Sequence, residues 1–177
     1  MSENGNHKAS FDDAVKDPAR IAELARLRLN EDHVDEILND YVSRAASELG
    51  LPISLVSIVL DDVQKFSASV GLTGWLEETQ GTPVEWSFCA NSVETGQPFV
   101  VEDAEKHAKT KDNPLVHHDA IRCYAGVPMV TKNNFVIGNF CVIGTEARTF
   151  KEDEINLLRE FAKLTVDQLE KVASSKS

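Results

Sequence analysis

The sequence predicts an α/β protein with one central antiparallel β-sheet and helices on both faces. Three observations predict it. Amphipathic segments stand at both ends of the chain, short runs rich in β-branched and aromatic residues lie between them, and a long polar segment, Glu105 to Ile121, interrupts those runs. At 177 residues and 42% hydrophobic side chains, the chain is large enough for one core and one domain.

Each element follows in order. MSENGNHKAS is polar and has neither an apolar leader nor a cleavage signal, so residues 1–12 read as a disordered tail and the domain as residues 13–172. Asp17-Pro18 opens a helix from Ala19 to Leu29, where Ile21, Leu24 and Leu27 recur every third residue. Asn30 and Asp32 interrupt it. Val34, Ile37, Leu38, Tyr41, Val42, Ala45 and Leu49 mark a second amphipathic helix closed by Gly50, and Pro52 blocks any continuation. Ile53 to Leu60 is a strand. Asp61-Asp62 turns it into a second, Val63 to Val70, with Phe66, Ala68 and Val70 alternating with polar neighbours. Leu72 to Val84 reads as a loop whose Trp75 and Leu76 fold inward as a lid.

Ser87 opens a short helix that Gly96 closes, and Pro98 turns the chain into another strand. After the polar crossover, Arg122 to Gly144 supplies two strands joined through Lys132-Asn133-Asn134. Thr149 and Glu152 have capping-box spacing, and Glu152, Asp153 and Glu154 suit the positive end of a helix dipole. That last helix carries one apolar stripe through Ile155, Leu158, Ala162, Thr165, Leu169 and Val172, and a second through Leu157, Phe161 and Leu164. The second stripe is either a dimer seam or the surface that the N-terminal helices cover within one chain. Residues 173–177 read as a frayed tail.

Composition excludes several functions. The formal net charge of −11 repels nucleic acid and anionic membranes, so neither is expected as a partner. Nothing approaches the run of ~20 apolar residues that spans a bilayer, and a cytoplasmic location is expected. Three cysteines without a C-x-x-C pair argue against a disulfide framework or a structural zinc site. No G-x-S-x-G, G-x-x-x-x-G-K-[ST] or H-E-x-x-H motif is present.

Six segments appear in an order and at gaps that resemble a GAF domain. They are Trp86-Ser87-Phe88-Cys89-Ala90, Gly96-Gln97-Pro98, Val100 to Ala104, Asp112 to Val116, Ile121 to Pro128, and Gly138 to Ile143. The resemblance runs from about Ala19 to about Val172. It implies a sheet with a crossover above it, enclosing a small-molecule pocket, in a protein that senses rather than catalyses. The ligand is then expected against Phe88, Cys89, His107, His118, Arg122, Tyr124 and Asn139. Its identity, and any cofactor, are left unnamed.

The residues weigh on that expectation one by one. Cys89 belongs to the first turn of the Ser87 helix, where free amides lower a thiol's pKa, yet between Phe88 and Ala90 it also reads as a small buried hydrophobe. Cys141 reads as core, and Cys123, between Arg122 and Tyr124, as the more exposed thiol. Lys106, His107, Lys109, Lys111, His117, His118 and Arg122 form a basic island in an acidic chain, suited to an anionic ligand if it faces the pocket; Glu105, Asp112 and Asp119 dilute it, and charged loops are commonly just solvated. Adjacent His117 and His118 seldom face one metal, and no metal is expected. Asn139, polar in an apolar strand, needs a hydrogen-bond partner if buried.

Branches of the resembled family set further expectations. Free-methionine-sulfoxide reductases use cysteines around this pocket. Cys89 aligns with one, but His118 or Asp119 stands where the essential partner is expected. Covalent bilin attachment uses a Cys-His pair that this chain lacks. The cyclic-nucleotide signature is broken here, because only two residues separate Phe150 from Asp153-Glu154. The leading expectation is therefore a non-catalytic sensing module, acting as a homodimer through its terminal helices or through a partner signalling protein. A thiol reductase using Cys89 and Cys123, and a ligand-free dimerisation scaffold, are the alternatives. The start methionine favours a complete short protein over a piece of a longer one.

Overall fold

The structure, a computed structural model, describes residues 13–29 and 35–175. The expectations for residues 1–12, for Asn30, Asp32 and Val34, and for the last two residues lie outside that range.

Local chemistry sets the helix ends. Helix α1 (Pro18–Arg26) has Pro18 in its first turn, and the Asp17 side chain accepts from the Ala19 amide. Helix α2 (Glu36–Leu49) begins where Asp35 accepts from the amides of Ile37 and Leu38, and ends at Gly50, which turns left-handed at φ +66°. After β1 (Ile53–Val59) and β2 (Val63–Val70) comes α3 (Gly74–Thr79), then β3 (Gly81–Pro83) and a 3₁₀ turn over Val84–Trp86. Helix α4 (Ala90–Thr95) leads to β4 (Phe99–Val101), and α5 (Pro114–His118) interrupts the crossover. Strands β5 (Cys123–Val130) and β6 (Val136–Gly144) precede α6 (Glu152–Ser175).

The six strands form one sheet in the order β3-β2-β1-β6-β5-β4, with every pairing antiparallel. Alternation along the strands divides the core in two. Val56, Ile58, Ala125, Val127, Phe140 and Val142 face α1, α2 and α6, packing on Leu38, Val42, Leu158 and Phe161. Leu55, Val59, Phe66, Tyr124, Cys141 and Ile143 face α3, α4 and the crossover. On the helix side, Phe161 stacks on Phe140 at 5.4 Å and meets Tyr41 at 6.1 Å, so its stripe is covered within the chain, whereas Leu164 remains exposed.

Four expectations need correction. Residues 72–84 are not a loop but a short helix and an edge strand, with Gln80 in the left-handed region at φ 51° between them. A six-residue helix carries too few turns to show a periodic stripe. Phe66 does not share a face with Ala68 and Val70. The β1–β2 register shifts between Val56 and Ser57, and one extra residue in β2 sends Phe66 to the lid side and the other two to the helix side. The cap of α6 sits two residues later than expected: Glu154 accepts from the Lys151 amide, in place of the Thr149–Glu152 pair. Finally, Ala173 to Ser175 continue α6 as helix instead of fraying, and Ala173 packs against the core.

Candidate functional site

A cavity of about 70 Å³ lies on the lid side of the sheet. Its floor is Leu55, Phe66, Tyr124, Cys141 and Ile143 from the strands. Its roof is Leu72 and Leu76 beside and within α3, Leu115 in α5, and Asp119 and Ile121 from the end of the crossover, with Phe88 and Cys89 ahead of α4. A volume of this size accommodates a few heavy atoms or waters, well short of a nucleotide.

A polar contact ties α3 to the crossover in the roof. Trp75 Nε1 donates to Asp119 Oδ1 at 3.0 Å, joining α3 to the crossover. The Trp75 ring also meets Trp86 edge-on at 5.8 Å. Asp119 follows α5, and Ala120 then takes a left-handed φ of 56°, reversing the chain so that Ile121 re-enters the core. The lid expected from Trp75 and Leu76 is thus a helix, latched through a carboxylate that sequence reading had not singled out as a ligand contact. Asp119 Oδ2 is buried without a hydrogen-bond partner.

Two polar groups lie beneath the lid, and one atom of the second, Asn139 Oδ1, is buried without a hydrogen-bond partner. Gln64 Oε1 accepts from Ser57 Oγ and Ser87 Oγ, while Gln64 Nε2 donates to Thr82 Oγ1. Ser87 Oγ also accepts from the Ala90 amide, the capping contact read from the sequence, but the helix begins only at Ala90, so Cys89 stands at its N-cap and not in its first turn. In the second group, Asn139 Nδ2 donates to Tyr124 Oη at 2.9 Å and to Ser92 Oγ at 3.0 Å, and Cys89 Sγ lies 2.9 Å from the same Tyr124 oxygen. Gly126 makes room for it. A Cβ there would stand 2.1 Å from Tyr124 Oη and 2.7 Å from Asn139 Nδ2.

Burial dominates the electrostatics of that cluster. It pushes the Tyr124 phenol and the Cys141 thiol well above their usual ranges, and the neighbouring Cys89 reinforces both shifts. Burial also raises Cys89, but its polar neighbours Cys141, Ser57 and Tyr124 outweigh it and lower that thiol.

The predicted site residues separate into two groups. Phe88, Cys89 and Tyr124 line the cavity, and Asn139 stands behind Tyr124 as its donor. His107, His118 and Arg122 do not line it. His107 packs edge-on against Phe99 at 5.4 Å, its Nδ1 accepts from the Lys109 amide, and burial lowers its pKa. His118 is exposed at the end of α5. Arg122 donates to the carbonyls of Val116 and Ile121 and pairs with Glu105 at 3.0 Å, so it fastens the crossover. No lysine, arginine or histidine is among the described residues lining the cavity, and the exposed basic island points elsewhere. Cys123, expected to be the accessible thiol, is fully buried on the opposite side of the sheet beside Leu51 and Gly144. Cys89 and Cys123 are therefore not brought together. Alternation in β5 puts Tyr124 on the cavity side and Cys123 away from it.

The family model for the GAF domain matches residues 31–169. The chain belongs to the GAF domain family. The family is one of signalling and sensing modules. The chain is 33% identical over 159 residues to a cyclic di-GMP phosphodiesterase of Pseudomonas aeruginosa, covering 89% of this chain and 26% of that protein. It thus spans about a quarter of that relative's length. Among solved structures, the GAF domain of a Coxiella burnetii phosphoenolpyruvate-protein phosphotransferase matches with a TM-score of 0.68 at 15% identity, covering 92% of this chain and 98% of the other. The free methionine-R-sulfoxide reductase of Neisseria meningitidis, solved with its substrate, matches with a TM-score of 0.63 at 18% identity, covering 90% and 87%. At such identities the likeness shows the fold. No described helix of this GAF domain is long and apolar enough to cross a membrane.

Proposed function

We propose that this GAF domain is a non-catalytic regulatory module that holds a small molecule beneath the Trp75 lid. The observation that carries the reading is the partly enclosed, mainly apolar cavity, with a latch between α3 and the crossover over it. Ligand pockets have this character: apolar walls with a few fixed polar groups. The absence of cations from the wall turns the reading away from the anionic ligand that the basic island suggested. The reductase alternative loses support because Cys89 and Cys123 lie on opposite sides of the sheet.

Ligand entry requires α3 and the crossover to part. Strands β5 and β6 pass beneath both the cavity and α6, so a change on the lid side reaches the terminal helices through the sheet. We place a homodimer seam along α2 and α6, where Ile37 and Leu164 remain exposed and Gln168 bridges to Asp35. The output is expected in a partner signalling protein or an attached enzyme, as the longer phosphodiesterase relative suggests. Three free, buried thiols fit a reducing cytoplasm.

Native mass spectrometry of the chain purified without added ligand tests this reading. A small adduct that is lost on denaturation, and is missing from the cavity-filled Leu55→Phe variant, is the expected result. An adduct unaffected by Leu55→Phe would move the ligand out of the cavity.

A further inference from the structure

The cavity wall carries an asymmetry that points to the chemistry of its ligand. Gln64, Thr82, Cys89 and Tyr124 already have hydrogen-bond partners within the protein. Asp119 is the one carboxylate among the described lining residues, and its Oδ2 is the buried side-chain oxygen on that wall without a partner. Its Oδ1 receives only the neutral indole N–H of Trp75. A carboxylate oxygen accepts and cannot donate, and burying it unpaired is costly. The missing group is therefore a donor, and a cation is the strongest donor for it. Phe66 and Phe88 add aromatic surface, and Leu76 and Ile121 add aliphatic surface, within the same cavity. That combination suits a short alkylammonium.

We infer that Asp119 is the selectivity residue of the cavity and that the ligand is a small amine, bound as its ammonium form with Asp119 Oδ2 as acceptor. This rests on reading the cavity as the ligand site. Because Asp119 Oδ1 also holds Trp75, occupancy of Oδ2 is felt directly by the lid, and the Trp75 indole reports it.

The test uses the full ¹⁵N-labelled chain and three probes of matched shape: propylammonium, propanol and propionate. Trp75→Phe assigns the Trp75 indole N–H signal. Propylammonium is expected to shift that signal saturably, propanol to bind roughly tenfold more weakly, as loss of one charge-assisted hydrogen bond implies, and propionate not to bind. Asp119→Asn retains an acceptor for Trp75 and is expected to erase the preference for ammonium over propanol. Should that variant fail to fold, Asp119→Ser is expected to do the same. Equal binding of all three probes, or a folded Asp119 variant that keeps the preference, overturns the amine assignment while leaving the cavity reading in place. If no probe moves the Trp75 signal, either in the natural chain or in Leu76→Ala with its wider mouth, both readings fail together.

Discussion

On the helix-covered side, Glu23 is 4% exposed and both of its oxygens are engaged. Oε1 accepts from Arg26 Nε at 2.6 Å and Asn133 Nδ2 at 3.1 Å, Oε2 accepts from Thr131 Oγ1, and Arg26 reaches on to Glu170 in α6. On the lid side, Asp119 has one neutral donor and one oxygen with none. The first carboxylate ties α1, α6 and the β5–β6 turn into one body. The second joins α3 to the crossover over a cavity through one bond of its own. A saturated buried charge resists rearrangement, because every displaced partner is left unpaired; a half-saturated one gains from a new partner. The two sides are thereby suited to different tasks, a rigid frame and a responsive lid.

The comparison breaks most readily through packing. Phe161→Ala removes the ring stacked on Phe140 and is expected to cost about 3–5 kcal/mol in urea denaturation. Leu76→Ala, which already borders a void, is expected near the low end for such truncations, about 2 kcal/mol. A reversal of that order would contradict the division into frame and lid. Glu23→Ala falls between those two, at about 2–3 kcal/mol, because it strands Thr131 and Asn133.

Acid sharpens the same point. The Arg26 hydrogen bond is the main cause that lowers the Glu23 carboxyl from its ordinary 4.5 to about 2, against its own burial. Its folded-state value is depressed, so its stabilising contribution is complete above about pH 4.5 and is lost as pH falls toward 2. Glu23→Gln is expected to flatten that part of the stability profile, as denaturation in steps across the window would reveal. Smaller effects belong to the lid side. Tyr124→Phe, which leaves Asn139 bonded to Ser92, is expected to lose about 1–2 kcal/mol of thermal stability. Arg122→Ala is expected to loosen the crossover by about 1 kcal/mol, with no change in ligand affinity beyond that loosening. Asp119→Ala is expected to cost under about 1 kcal/mol, the smallest effect of all, since it gives up one neutral hydrogen bond and relieves an unpaired oxygen.

What could be read beforehand was local. Asp17-Pro18, Gly50, Ser87 and Gly96 act within a few residues of themselves, and each performs the capping or turning role its chemistry predicts. Strands β1, β2, β5 and β6 also followed from their β-branched runs. The faces of β2 were not legible, because a bulge leaves no periodic mark. The carbonyl bonds of Arg122 were not legible either, because nothing in sequence tells a guanidinium held by carbonyls from one free for a ligand. Asp119 was passed over as a diluting charge in a basic island. Its signal was faint: a lone acid between Leu115 and Ile121, with a tryptophan far upstream that only the fold brings to it.

Hydrogen exchange of backbone amides at natural-state conditions tests the central claim without any ligand in hand. Amides of residues 72–83 and 113–121 are expected to exchange through local opening, well ahead of those in β1, β5, β6, α2 and α6. Lid amides that exchange only as slowly as the central strands, through global unfolding, would contradict the account.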